Sequence, residues 1–319
     1  MLLKMIWTQI WVQMIIMLHT PIFWIAFVVL LLQIGMHIWD QERWVWKEKQ
    51  VRHRLPAFFF TVFQLQFQMI FLGLFGGACA SVLLLLIGCS IDYTVIPYLW
   101  VMILLLLSIR RRFVCIAYAS GLLVCVQFFL GLFHLEQYIS LDARSLLMMV
   151  AILHVTEAFL VWISGTMLAK AVYSRDKSGN TTIGIHLNMT WLIPIVIPVL
   201  LQDQVEIQQL QYGCLVMPEW WPLFDNLKEQ DRTLYQLTPM LATIGYRDFS
   251  VCGMEHQQTR KTAVLLLCYS LLLSGMVFLS RQYVPLLPMA ASFCVLGHEA
   301  MLRFGQKTMR KYTHEKKEQ

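Results

Sequence analysis

Two His–Glu pairs carry the chemistry that this sequence could perform. His154 and Glu157 lie in residues 145–168 (SLLMMVAILHVTEAFLVWISGTML), which contain no other ionisable group. A spacing of three puts both side chains on one face of a helix. Such groups are costly in a bilayer and turn toward protein or a water-filled cavity. The pair can be a hydrogen-bonded lock that fixes helix packing, or a site that handles a proton or a ligand. The second pair is His298-Glu299. A zinc-protease helix needs a second histidine four residues on, so that both rings meet one ion. Position 302 is Leu302, and the His154 pair lacks that spacing as well. The four residues could still assemble a composite site across helices.

Other signatures of catalysis are missing from the sequence. There is no GxSxG elbow and no GxxxxGK[ST] phosphate loop. The eight cysteines, at 79, 89, 115, 125, 214, 252, 268 and 294, form no CxxC pair, and most fall in apolar runs. They read as small buried hydrophobes rather than a disulfide frame or a zinc site. We therefore expect no enzymatic activity, no cofactor and no metal.

The elements that must position these residues are membrane helices. The chain has 319 residues, of which 58% are hydrophobic and 14% charged, with a mean hydropathy of +0.61. A soluble domain carries about 25% charged residues. The net charge of +6 is concentrated in clusters that abut apolar runs. That pattern marks topology and contact with anionic lipid, not nucleic acid. No small-x-small cleavage site follows the first apolar segment at signal-peptide distance.

In chain order, residues 1–20 read as an interfacial helix. Trp7 and Trp11 sit at headgroup level, and Pro21 ends the run. Residues 21–168 read as a five-helix membrane region. Its first span is followed by the charged segment 40–54 (DQERWVWKEKQVRHR). In the second span, Gly73, Gly77 and Ser81 put a small-residue face on the helix. The third span stops at Arg110-Arg111-Arg112. Residues 169–262 read as a polar loop and a small aromatic-rich cap, in which Thr181 could begin a short strand. The apolar segment 191–201 (WLIPIVIPVLL) is too short to span and holds Pro194 and Pro198, so it reads as re-entrant or interfacial. Residues 263–302 supply two further helices, and 303–319 form a basic tail. The expected fold is an all-α polytopic membrane protein with about seven transmembrane helices and a small polar cap.

Several stretches resemble the membrane region of the MinJ family, the membrane-embedded, PDZ-containing division proteins of Gram-positive bacteria. They are residues 40–54, RFVCIAYASG (112–121), LHVTEAFLVWISG (153–165), 183–194 with Trp191 and Pro194 in WLIP, Trp221-Pro222-Leu223, Ile244-Gly245-Tyr246 and LGHE (296–299). They occur in the family's order over nearly the whole chain. The resemblance implies a non-enzymatic scaffold in the cell membrane at the septum, bridging DivIVA to MinC–MinD. In the family a PDZ domain follows the LGHE helix. This sequence runs to Gln319 without one, as a truncated member or a shorter relative would, which puts the PDZ-dependent share of partner binding in doubt. The competing readings are a small-solute transporter, which would use broken helices and intramembrane polar groups, and an intramembrane protease.

Placing the basic segments inside gives seven spans, with the N-terminus outside and the C-terminus in the cytoplasm. A cysteine at Thr308 should therefore resist a membrane-impermeant thiol reagent in intact cells and react after lysis. Labelling from outside would reject this topology.

Overall fold

A computed structural model describes residues 2–21, 23–25, 27–29, 55–91, 95–110, 115–135, 141–175, 181–200 and 235–315, with single positions between them. Segment 40–54, most of the expected cap, Trp221 and Pro222 lie outside the described residues. The described elements are α1 (Leu2–Leu18), α2 (Leu55–Ile87), α3 (Val95–Ile109), α4 (Ile116–Leu132), α5 (Ala143–Ser164), β1 (Lys170–Arg175), β2 (Thr181–Leu200), β3 (Tyr235–Val251), α6 (Glu255–Leu279) and α7 (Leu286–Glu315).

The protein is mostly helical, and several helices are apolar enough for a membrane. Among the described residues, three are also long enough to cross one: 63–87 of α2, α5 and α6. Residues 10–18 and 23–29, bent by 72° at the break before Phe23, would make a fourth if they form one span. Both α3 and α4 are apolar but shorter.

Helix α5 is the axis of the bundle. Asp142 caps its N-terminus, its carboxylate accepting from the Arg144 and Ser145 amides. Most of its residues are buried, from Ala143 to Ser164. It runs antiparallel to α6 along its whole length. At one end the Arg144 guanidinium reaches the Ser280 carbonyl. At the other, Gly165 leaves room for Thr259, whose Cγ2 would lie 2.8 Å from an added Cβ.

The sheet corrects the all-α expectation. β1, β2 and β3 form a three-stranded antiparallel sheet in that order. The pairing of β2 with β3 is continuous from Gly184↔Val251 to Leu200↔Tyr235. The segment read as re-entrant or interfacial is the second half of β2, and residues 191–199 are all buried. Residues 235–251, assigned to the cap, are β3, so the pairing places them against the core rather than on a polar cap. The physical reason is hydrogen bonding. Two prolines cannot continue a helix ladder, but a strand tolerates them on an edge whose N–H groups face away from its partner.

That edge is sealed by α2. β1 pairs with residues 181–186, and among the described residues no strand lies along that side of 187–200. Backbone groups of alternate residues point to the same side of a strand. On this side the Val196 amide donates to Ser81 Oγ (2.8 Å), and Ser81 in turn donates to the Gly77 carbonyl (2.6 Å). The Leu192 and Pro194 carbonyls press on Gly73 and Gly77, where an added Cβ would collide with them. The Ile91 amide donates to the Pro198 carbonyl at 3.1 Å. Pro194 and Pro198 present no N–H here to satisfy. The small-residue face of α2 thus takes a strand backbone, not another helix. The opposite face carries Phe63, Phe67, Phe71 and Phe75, all exposed as lipid-facing rings would be. Helix α1 completes the packing, with Ile10 and Met14 against Ala78, Leu85, Val196 and Leu237.

Gly77→Leu should therefore lower the yield of folded, monodisperse protein several-fold. Gly275→Leu, at a helical position with nothing within 4 Å of a new Cβ, should leave it near wild type. Equal yields by size-exclusion chromatography would contradict the close approach of α2 to β2.

Candidate functional site

Four helices meet at one buried polar cluster. Cys115 is the residue before α4, in extended conformation with φ −143° and ψ 142°. Its Sγ lies 3.9 Å from His154 Nε2 on α5 and 3.8 Å from His298 Nε2 on α7. These three atoms all lie within 4.8 Å of one another. His154 is 2% exposed and His298 6%. Glu157 borders the same space, with Oε2 3.9 Å from His154 Nε2 and a side chain 15% exposed.

Local structure fixes both rings. His154 Nδ1 is 2.8 Å from the Val150 carbonyl, one turn earlier on α5. A carbonyl can only accept, so Nδ1 carries the proton and neutral His154 presents the Nε2 lone pair to the cluster. The ring stands edge-on to His298, with centroids 5.3 Å apart, and to Tyr269 of α6, at 5.4 Å. His298 is also flanked edge-on by Tyr118, at 5.0 Å. Tyr269 is anchored in turn, donating to the Cys294 carbonyl at 2.8 Å. The α4–α7 approach that brings Cys115 to His298 depends on Gly121, which packs on Ala291, Cys294 and Val295.

Glu299, the next residue of α7, makes a different set of bonds. It accepts from Tyr118 Oη (2.7 Å) and from Arg303 Nε (2.7 Å). Arg303 is 70% exposed, so this ion pair contributes little by itself. The Tyr118 bond ties α4 to α7 beside the cluster.

The fold thus joins His154, Glu157 and His298, with Glu299 one residue away on a separate network. Trp191 is fully buried and donates from Nε1 to Ser164 Oγ at 3.2 Å, which links β2 to α5. Pro194 lies against Gly77, and Gly245 pairs with Thr190. Tyr246 donates to Asp248 Oδ2 (3.1 Å), which also accepts from Gln258 and Thr262 of α6. Asp248 therefore fastens the end of β3 to the start of α6.

Sequence reasoning missed Cys115, Tyr118 and Tyr269. Cys115 was grouped with the apolar space-fillers, although a signal existed. Cys115 and Tyr118 are three apart in RFVCIAYASG, the same spacing as His154 and Glu157. The cysteines as a group also depart from expectation: Cys79, Cys252 and Cys268 are exposed, while Cys89 and Cys294 are buried.

Comparison with known proteins adds no assignment: no family model, no curated protein and no solved structure matches this chain.

Tyr118→Phe removes one buried donor to a carboxylate and should destabilise the bundle by about 1–3 kcal/mol. Tyr283→Phe, at an exposed position, should change nothing. Thermal unfolding in detergent, read by tryptophan fluorescence, separates the two; indistinguishable midpoints would remove Tyr118 from the interhelical lock.

Proposed function

We propose that this chain is a non-enzymatic integral membrane scaffold that helps position the division machinery, in the manner of the MinJ family. One observation carries the reading. Stretches that resemble that family at separate points of the sequence are in mutual contact in the fold. RFVCIAYASG supplies Cys115, Tyr118 and Gly121, LHVTEAFLVWISG supplies His154, Glu157 and Ser164, and LGHE supplies His298 and Glu299. WLIP joins them through Trp191 and Ser164, and Ile244-Gly245-Tyr246 pairs with β2 beside it.

In this reading the bundle is an anchor, and recognition belongs to surfaces outside it. The N-terminus is outside, seven spans cross the bilayer of a Gram-positive cell, and the tail after Arg303 is cytoplasmic. Segments 40–54 and 170–186 and the tail are the faces offered to DivIVA and MinD. The five cations after Arg303 hold the tail near anionic lipid, at about 1 kcal/mol each close to the surface.

An intramembrane protease is the second reading. It draws on the shared buried centre of Cys115, His154 and His298 with Glu157 beside it, because three ligands and a neighbouring carboxylate are what metal-assisted hydrolysis requires.

A full-length fluorescent fusion should concentrate at division sites, at several times its density on the lateral membrane. An even distribution of a stable fusion around dividing cells would reject the scaffold reading and leave the protease standing.

A further inference from the structure

We propose that Cys115, His154 and His298 bind a single divalent ion of the zinc class, with Glu157 at the fourth position. The inference is independent of the scaffold reading: with Glu157 as fourth ligand the site is closed, so the metal would serve the bundle's integrity and not hydrolysis.

Spacing is the first support. In tetrahedral zinc sites, Zn–S near 2.3 Å and Zn–N near 2.05 Å place sulfur and nitrogen about 3.6 Å apart. The two sulfur-to-nitrogen distances here are 3.9 and 3.8 Å. The same geometry puts a carboxylate oxygen about 3.4 Å from a ligating nitrogen, and Glu157 Oε2 stands 3.9 Å from His154 Nε2. The two ring nitrogens lie within 4.8 Å of each other and would draw closer, to about 3.3 Å, on a shared tetrahedral ion.

Tautomer and orientation are the second support. A metal-binding histidine donates its other ring nitrogen to a carbonyl or carboxylate, which fixes the ring and leaves the ligating nitrogen bare. His154 does this through Nδ1 and Val150. Both histidines turn Nε2 toward the same sulfur.

Charge decides which set of ligands fits. A net charge left in an apolar interior is very expensive. A thiolate, two neutral imidazoles and a divalent cation leave one positive charge, and the Glu157 carboxylate cancels it. Binding therefore displaces the Cys115 thiol proton and any proton on Glu157 into solvent. It also gives the buried carboxylate a partner stronger than a neutral ring. A cysteine with two histidines is also the set of copper electron-transfer sites, but those complete it with a weak axial ligand. A carboxylate in that place favours zinc.

The test uses the full chain in detergent or nanodiscs, stripped with a chelator and reloaded with Co2+, which takes zinc sites and reports their ligands by colour. The expected result is one cobalt per chain, with intense visible bands of tetrahedral geometry and a near-ultraviolet thiolate-to-cobalt band. Zinc should displace it. Cys115→Ser should abolish the thiolate band, and His154→Gln or His298→Gln should weaken binding at least tenfold. Glu157→Gln should weaken binding while keeping the thiolate band, and Cys125→Ser should leave both spectra unchanged. Circular dichroism and monodisperse elution check that each variant is folded. If the histidine variants do not fold, the near-isosteric Cys115→Ser decides alone. Folded wild-type protein that takes up no cobalt, or a thiolate band that survives Cys115→Ser, overturns the proposal.

Discussion

A β-strand inside an apolar bundle has to satisfy every backbone polar group without help from water, and this demand shapes the molecule. In hydrocarbon an open sheet edge does not occur, and each unpaired group would cost about 1–3 kcal/mol by protein mutational measures. Around its two prolines β2 is served on both sides. Toward β3 it has a full antiparallel ladder. Toward α2 it has few donors left, because Pro194 and Pro198 carry none and Val196 is taken by Ser81. The carbonyls on that side sit against glycines, where Cα–H groups can approach them closely. Gly73, Gly77 and Ser81 on α2 and Pro194, Val196 and Pro198 on β2 are therefore two halves of one device. Each half spaces its residues to match the other, four apart on the helix and two apart on the strand.

From this seam the rest of the core takes its position. Trp191 reaches from β2 to Ser164, near the C-terminal end of α5. Tyr246 and Asp248 fasten β3 to the start of α6. Since α5 and α6 run antiparallel, the sheet registers both helices from one end. Arg144 and Ser280 join them at the other. His154 and Tyr269 are carried to the same level by that registration, and α7 and α4 close over them through Gly121 and the Tyr118–Glu299 bond.

The helices could be read from sequence because their signals are local. α3 ends at Ile109, just before the arginines expected to stop it, and α5 covers most of residues 145–168. The sheet was harder, for reasons that differ along β2. Residues 182–191 alternate polar and apolar without a break, from Thr182-Ile183 to Thr190-Trp191, which is a half-buried strand pattern. Beyond Trp191 both faces are buried, so the alternation vanishes into a continuous apolar run. Such a run resembles a short membrane element, and its two prolines argue against a helix without arguing for a strand. The partner strand lies thirty-odd residues further on across the segment outside the described residues, so no turn signal joined the two. The site divides in the same way. His154 and Glu157 were visible through their spacing on one helix. Cys115 and His298 became their neighbours only through contacts between α4, α5 and α7, and no periodicity within one helix encodes those.

The placement of the cluster also bears on what it can be. Aromatic rings enclose His154 and His298 on several sides, and Tyr269 is held by a backbone carbonyl rather than by either imidazole. Helix packing alone could have filled this space with leucine, as it does elsewhere in α5. Replacing buried polar groups by apolar ones of similar volume is commonly neutral or stabilising. A thiol, two imidazoles and a carboxylate gathered at the crossing of three helices are thus a poor answer to a packing problem. His298 Nδ1 is buried without a hydrogen-bond partner among the described residues, which adds to the cost of the arrangement. Part of that cost is offset by anything that draws together the sulfur and the two Nε2 atoms that face it. Hydrogen bonds among them at 3.8–3.9 Å are weak, whereas a shared cation would use all three at once.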